Sequence, residues 1–327
     1  MPKNYSEDHV LNTKHALRSV LHEEKKRETE NAPCVTACCF SQTQQTRCFF
    51  GFHDGLICFW VYSQDQQKVP SKVQKSLLGH TNKINHLTFE GGYLFSSAQD
   101  CTVRQWNVDK ETCCRIFKFA DPCSFATVHT QHNLLFTGSW DKQVRAIDLK
   151  NGEIDRAFVA SKEAIRCLHL YDKWLFVAGC DPCIRAFDLT NGNIKTFEGH
   201  RSWVLCMQVL QLKREDGTVR DEWLFSGSDD NTIRVWSLKT CKCLDELNGH
   251  TNGVLSLAFA DNNLFSGSYD QYLIMWDLNE IEHKINELQR MQFEDLRSKK
   301  FEAFEAYMES KGKRKKAPKK KGKKGKK

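Results

Sequence analysis

The residue types that perform nucleophilic catalysis recur in this sequence at regular intervals. Ser, His and Asp together can activate a hydroxyl for acyl transfer, with His as the base and Asp as the group that orients it. Three sets occur, and they are His80, Ser96 and Asp100; His200, Ser226 and Asp230; and His250, Ser266 and Asp270. An active site needs such a set once, whereas a structural contact needs it in every copy of a repeat. The repetition therefore favours a structural role, and we expect no enzyme.

The three sets belong to a recurring sequence motif. It consists of apolar residues, then small residues, then an Asp, and then an apolar strand. The motif occurs six times, with its Asp at Asp54, Asp100, Asp141, Asp181, Asp230 and Asp270. A large apolar residue stands six places after each Asp, in the order Trp60, Trp106, Ile147, Phe187, Trp236 and Trp276. A period of roughly 40 residues with four strand-like segments is typical of a β-propeller blade. We therefore predict an all-β propeller of six four-stranded blades.

Gly-His pairs precede three of the units, at Gly79-His80, Gly199-His200 and Gly249-His250, and Trp276-Asp277 closes the last one. With these pairs the sequence resembles the WD-repeat family from about Cys34 to Leu278. The resemblance implies a buried hydrogen-bond network in each complete blade. Its residues would be His80, Ser96, Asp100 and Trp106; His200, Ser226, Asp230 and Trp236; and His250, Ser266, Asp270 and Trp276.

The third and fourth units depart from this pattern. Ile147 and Phe187 replace the Trp, and no Gly-His pair precedes either unit. We expect these two blades to depend on apolar packing and to be less rigid.

The last unit has no outer strand after Leu278, so the last blade is expected to be incomplete. Residues before Cys34 should supply the missing strand, but the run from Glu23 to Asn31 has low β-propensity. An unusual closure, completion by a partner and a partly open ring all stay possible at this point.

Four segments follow from these patterns. They are an amphipathic N-terminal helix in 1–31, the propeller in 32–278, a C-terminal helix in 279–310 and a disordered Lys-rich tail in 311–327. Asn279 with Glu282 resembles the N-cap and third position of the C-terminal helix.

The tail holds 12 Lys or Arg residues and no acid, although the whole chain carries a net charge of only +7. Its charge suits nuclear import, contact with RNA phosphates or attraction to anionic surfaces. The residues assigned to this role are Lys313, Arg314, Lys315, Lys316, Lys319, Lys320 and Lys321.

The 15 cysteines show no disulfide framework, since their total is odd and they occur as adjacent pairs and scattered singles. Most lie in apolar, strand-like stretches, where a reduced thiol acts as a small hydrophobe. We expect no metal site and no cofactor. Reduced thiols favour a nuclear or cytoplasmic location, and no apolar run is long enough for integral membrane insertion.

The leading hypothesis is a non-enzymatic scaffold that binds proteins or peptides on one propeller face. The residues before each turn Asp and those entering the blades should share a rim there: His53, Lys83, Gln99, Trp140, Cys180, Arg201, Trp203, Asp229 and Tyr269. Trp140, Trp203 and Tyr269 are the expected anchors, because aromatic residues commonly dominate binding energy.

Two other hypotheses remain. The first is an RNA- or ribonucleoprotein-associated factor that uses the tail. The second is a substrate receptor of a ubiquitin ligase, which is disfavoured because Trp276-Asp277-Leu278-Asn279 lacks the Arg that such WD-repeat receptors often carry. The sequence does not indicate an oligomeric state.

Overall fold

The chain folds into antiparallel sheets that follow one another along the sequence. A computed structural model describes residues 34–42, 46–62, 75–213 and 217–313. These residues form five four-stranded sheets and a sixth sheet of three strands, which we number blades 1 to 6. The predicted six-bladed β-propeller with an incomplete last blade is thereby confirmed.

The strands of each blade follow chain order from the inside outwards. Blades 1 and 2 contain β1 (Val35–Gln42), β2 (Thr46–Phe52), β3 (Ile57–Tyr62), β4 (Lys75–Leu77), β5 (Ile84–Glu90), β6 (Tyr93–Ala98), β7 (Thr102–Asn107) and β8 (Thr112–Lys118). Blades 3 and 4 contain β9 (Cys123–His129), β10 (Leu134–Ser139), β11 (Gln143–Asp148), β12 (Ile154–Val159), β13 (Ile165–Tyr171), β14 (Trp174–Gly179), β15 (Ile184–Asp188) and β16 (Ile194–Phe197). Blades 5 and 6 contain β17 (Val204–Lys213), β18 (Val219–Ser228), β19 (Thr232–Ser237), β20 (Cys243–Asn248), β21 (Val254–Ala260), β22 (Asn263–Ser268) and β23 (Leu273–Asp277).

A single α-helix, α1 (Leu278–Lys313), follows β23 directly in the described part of the chain. The predicted N-cap at Asn279 is wrong. The Asp277 carboxylate instead accepts a hydrogen bond from the Asn279 N–H at 2.8 Å, so the helix begins at Leu278. The predicted N-terminal helix lies outside the described residues, as does most of the predicted tail, from Arg314 onwards. The first three residues of that tail, 311–313, belong to α1 and are not disordered as predicted.

The described residues belong to two compact units. One contains the residues up to Ala258 together with Ser266–Ile274, and the other contains Phe259–Phe265 and the residues from Met275 onwards, including α1.

In the first unit, the apolar core lies between successive blades. The first strand of each blade, which we call its inner strand, contacts the inner strand of the next blade from β1 through β17. Between blades 1 and 2, Trp106 packs in one cluster with Leu77 and Ile84. Between blades 4 and 5, the Trp236 ring meets the Phe197 ring edge-on at 6.0 Å. A large residue on the third strand thus packs against the outer strand of the preceding blade.

The turn between the second and third strands uses its Asp in the same way in all six blades. One carboxylate oxygen, Oδ1, accepts the backbone N–H of the residue two places on, at 2.9 to 3.0 Å. Asp side chains favour such turns because they mimic a backbone carbonyl. The second oxygen, Oδ2, stays available for another partner.

In blades 3 and 4 this second oxygen binds an arginine. Arg145 lies 2.5 Å from Asp141, and Arg185 lies 2.7 Å from Asp181, each four residues further along the chain. Both pairs are largely buried. Burial alone raises the pKa of Asp181, but the hydrogen bonds from Arg185 and the Cys183 N–H outweigh it and lower the pKa overall. Blades 3 and 4 thus have an ion pair in place of the missing histidine, in addition to the apolar packing that the sequence predicts.

A cleft lies between blades 3 and 4, where Phe187 stands in place of the larger Trp. Phe187 contacts Phe158 of the preceding blade at 5.1 Å between ring centroids. The cleft has a volume of about 1070 Å³ and lies beside them, lined by apolar residues such as Phe136 and by charged residues such as Lys173.

We predict that Arg185→Met lowers the free energy of unfolding by about 2 kcal/mol, because it leaves the Asp181 carboxylate without its charged partner. Arg156→Met is the matched control, since Arg156 is 78% exposed and its 3.5 Å pair with Asp155 is on the surface. The control should lose less than about 0.5 kcal/mol. Urea unfolding measures both values, and equal losses would contradict the role of the buried pair.

Two histidines lie within the inner-strand region of blades 2 and 4. The His86 ring of β5 stacks on the Phe125 ring of β9, with 3.5 Å between centroids. Desolvation lowers the pKa of His86 to about 4 and that of His169, on β13, to about 4. Both side chains are therefore neutral in the folded protein at neutral pH.

We predict that the protein loses stability as the pH falls from about 6.5 to about 4. The pKa of each histidine is lower in the folded than in the unfolded chain, so the unfolded chain binds more protons in this range. His86→Phe removes one of the two groups and should reduce the loss. Urea unfolding at about pH 7 and about pH 5 tests this. His283→Phe on α1 is the control, and a slope unaltered by His86→Phe would refute the assignment.

Candidate functional site

The Ser–His–Asp sets of blades 2 and 5 form the same buried network. His80 Nδ1 lies 2.7 Å from Asp100 Oδ2, and His80 Nε2 lies 2.7 Å from Ser96 Oγ. The Trp106 Nε1–H group donates to the same Ser96 Oγ at 2.8 Å. Blade 5 repeats this geometry within 0.1 Å, with the four residues His200, Ser226, Asp230 and Trp236.

Blade 6 contains the polar part of the network. His250 lies 2.8 Å from both Asp270 Oδ2 and Ser266 Oγ. These three residues belong to the first compact unit, whereas Trp276 belongs to the second.

The order of the protons follows from the chemistry of the groups. A carboxylate can only accept, so the His Nδ1–H donates to Asp and the His Nε2 lone pair faces the Ser hydroxyl. The hydroxyl then donates to His and accepts from the Trp N–H. Every polar atom of the chain Trp–Ser–His–Asp is satisfied, which matters because Ser96 and Ser226 are fully buried.

The network also sets the charge of its aspartates. Burial alone raises the pKa of Asp100, but the hydrogen bonds from His80 and Thr102 lower it to about 2 overall. The same causes lower the pKa of Asp230, through His200 and Thr232. Both carboxylates are therefore ionised at neutral pH. Because the Ser hydroxyls are buried against Trp, the geometry suits a structural bond rather than attack on a substrate.

In blades 2 and 5, the glycine before the network histidine makes room for an arginine and the Trp ring. A Cβ atom at Gly79 would meet Arg104 and lie 3.1 Å from the Trp106 ring, and one at Gly199 would lie 2.8 Å from Arg234. Arg104 and Arg234 occupy the same place after the turn Asp as Arg145 and Arg185 do. In blades 2 and 5, however, the guanidinium lies over the Trp ring at 5.9 to 6.0 Å.

The predicted rim residues before each turn Asp occupy equivalent positions. Each donates its backbone N–H to a carbonyl just before the inner strand of its own blade, at 2.8 to 3.1 Å. The six pairs are His53 with Cys34, Gln99 with Lys83, Trp140 with Pro122, Cys180 with Ala164, Asp229 with Trp203, and Tyr269 with Gly253. All of these residues belong to the first compact unit.

The rim residues differ in exposure. Trp203 is 44% exposed and Tyr269 is 59% exposed. His53, Arg201 and Asp229 are also exposed, whereas Lys83, Gln99, Trp140 and Cys180 are partly buried.

One rim residue that the sequence did not reveal is Arg166, the second residue of β13. Its guanidinium carbon lies 5.0 Å from the centroid of the Trp140 ring and 5.6 Å from that of the Trp203 ring. Trp140 belongs to blade 3 and Trp203 to the loop entering blade 5, so the stack crosses three blades. We call these three residues the Trp–Arg–Trp clamp. Its only signal in the sequence is that an Arg stands second in the inner strand, where blade 3 has Ser124 and blade 5 has Leu205.

The cysteines are all free. Cys180 and Cys183 have the C-x-x-C spacing, which the sequence analysis overlooked. Burial and the neighbouring Asp181 raise the pKa of Cys183, so its thiol is protonated at neutral pH. Among the described residues, no group of His, Cys, Asp or Glu side chains could hold a metal ion. None of the described helices is long and apolar enough to cross a membrane.

Comparison with known proteins agrees with this geometry. The family model described as "WD domain, G-beta repeat" matches residues 71–107, 191–237 and 241–277, which include the three Gly-His units. MST50-interacting protein 11 of Pyricularia oryzae is 30% identical over 223 residues, covering 64% of this chain and 69% of that protein. The chain belongs to the WD-repeat family.

Two further comparisons place this WD-repeat protein among its relatives. An uncharacterized WD repeat-containing protein of Schizosaccharomyces pombe is 41% identical over 87 residues, covering 26% of this chain. The chain spans 23% of the length of that relative. The crystal structure of the WD40 β-propeller domain of Doa1 superposes with a TM-score of 0.62 at 20% identity, covering 74% of this chain and 78% of that one.

We predict that Ser226→Ala destabilises this WD-repeat protein by about 2 to 4 kcal/mol, because it removes the partner of both Trp236 Nε1 and His200 Nε2 in a buried site. Ser76→Ala, at an exposed position of β4, is the control and should change stability by less than about 0.5 kcal/mol. Urea denaturation followed by Trp fluorescence gives both values. A Ser226→Ala loss as small as that of the control would show that the network adds little.

Proposed function

We propose that this protein is a non-enzymatic scaffold that binds segments of partner proteins on the face formed by the six rim positions. The observation that carries the proposal is the pair of exposed aromatic side chains on that face, Trp203 at 44% and Tyr269 at 59% exposure. Large aromatic side chains supply much of the binding energy in protein interfaces.

The backbone supports the same use of this face. The six equivalent N–H bonds hold the rim residues at fixed places relative to the inner strands. Side chains on such a rigid frame lose little conformational entropy on binding, which favours affinity. Membership of the WD-repeat family is consistent with a protein-interaction role.

We expect Trp203→Ala combined with Tyr269→Ala to remove a defined set of partners captured by the purified full-length chain. Quantitative mass spectrometry would compare the captured proteins with those bound by the unsubstituted chain. Tyr93→Ala is the matched control, because Tyr93 is also exposed but lies at the opposite end of its blade from the rim. The control should retain the partners.

A thermal unfolding curve for each variant separates loss of binding from loss of fold. Partners that persist at full yield with the folded double variant would refute binding on this face.

A further inference from the structure

The second residue of each inner strand is a β-bulge in blades 1 to 5. The register of the inner strand with its neighbour skips one residue there, and these residues are Thr36, Asn85, Ser124, Arg166 and Leu205. A bulged residue is left out of the ladder, so its side chain can be directed elsewhere. The bulge therefore gives each of these five blades one side chain outside the regular ladder.

In blades 1 to 3 that side chain joins the blade to the next one. Thr36 donates to the Ile84 carbonyl at 2.5 Å, and Asn85 donates to the Cys123 carbonyl at 2.8 Å. Ser124 donates to the Ile165 carbonyl at 2.5 Å. A short polar residue at this position thus has a structural use that repeats along the chain.

Blade 4 has Arg166 at this position, and the structural bond is missing there. Within the described residues, Arg166 makes no side-chain hydrogen bond and no ion pair. Its contacts of note are the two Trp rings of the clamp, at 5.0 and 5.6 Å. A guanidinium between two aromatic faces is held in place and partly desolvated, and both effects strengthen its bond to an anion.

Two buried donors in the clamp lack acceptors. Arg166 Nε and Trp140 Nε1 are each withdrawn from solvent, and neither has a hydrogen-bond partner among the described residues. Buried donors are nearly always paired in folded proteins. Glu163, three residues before Arg166, pairs with Lys142 at 3.4 Å. Asp229, whose N–H bonds to the Trp203 carbonyl, accepts a hydrogen bond from Ser202 at 3.3 Å.

We propose that the Trp–Arg–Trp clamp is a receptor for one carboxylate of an acidic segment in a partner protein, with Arg166 as the residue that binds it. The proposal rests on the proposed function, because it assigns partner chemistry to the same face. The planar guanidinium matches the two oxygens of a carboxylate, and the flanking rings provide apolar contact for the aliphatic part of an Asp or Glu side chain. The clamp contains one cation, Arg166, and the acidic residue Asp229 is bonded to Trp203 through its backbone N–H. A singly charged carboxylate suits this balance of charge better than a doubly charged phosphate.

Selection of random linear peptides displayed on phage against the full-length chain tests the proposal. The selected peptides should contain Asp or Glu at one shared position. Replacing that acid by Asn or Gln in a synthetic peptide should weaken binding at least tenfold, and replacing it by phosphoserine should not strengthen it. Fluorescence anisotropy of labelled peptides measures these affinities.

Arg166→Ser is the decisive variant, because Ser is the native residue at the equivalent bulge of blade 3 and preserves a side chain that can bond to the next blade. It should unfold at a temperature close to that of the unsubstituted protein and bind the acidic peptides at least tenfold more weakly. Arg156→Ser removes an arginine that is 78% exposed and lies outside the rim, and it is the control for loss of charge. It should bind within twofold of the unsubstituted chain.

Four results would overturn the clamp as a carboxylate receptor. They are no selected peptides, selected peptides without a shared acid, equal binding by Arg166→Ser, and much tighter binding of the phosphoserine peptide. If Arg166→Ser binds normally while the Trp203 and Tyr269 double variant loses its partners, the clamp assignment fails and the scaffold function stands.

Discussion

The rest of the propeller depends on the hydrogen bonds and ion pairs of the turn aspartate. One oxygen of its carboxylate closes the turn in every blade, through the N–H two residues on. The other oxygen binds a histidine in blades 2, 5 and 6 and an arginine in blades 3 and 4. A carboxylate withdrawn from water needs such partners, because an unpaired buried charge is costly. The residues that supply them also determine how each blade packs on its neighbour.

The two solutions have different consequences for packing. In blades 2 and 5, the arginine four places after the Asp lies over the Trp ring, and the Trp fills the space next to the preceding blade. In blades 3 and 4, where the histidine is missing, the arginine binds the Asp, and Phe187 lies beside a cleft between the two blades. In blades 3 and 4 the arginine thus compensates the charge of the Asp in place of the missing histidine. No larger side chain of the described residues fills the volume of the missing Trp beside Phe187.

The rim follows from the same turns. The residue before each Asp is held by its N–H to the start of the inner strand, and the inner strand begins with a bulge. In blade 4 the bulge residue is Arg166, which makes no hydrogen bond to the described residues of the next blade and lies between two Trp rings instead. A position that is structural in three blades is thereby available for binding in the fourth.

The sequence by itself determined the repeat, the six blades and the missing outer strand after Leu278. These features follow from local patterns, namely a turn Asp at a fixed distance from a core residue and short apolar runs bounded by turn residues. The sequence predicts the strands of blade 2 within two residues of the observed ends. The predicted strands are Ile84–Phe89, Tyr93–Ser97, Val103–Val108 and Cys114–Phe119. Only the tertiary structure decided the partner of Asp141 and Asp181, the start of α1 at Leu278 and the place of Arg166 between Trp140 and Trp203. The physical reason is that an arginine side chain is long enough to reach several partners, and the packing of the neighbouring blades determines which of them it contacts.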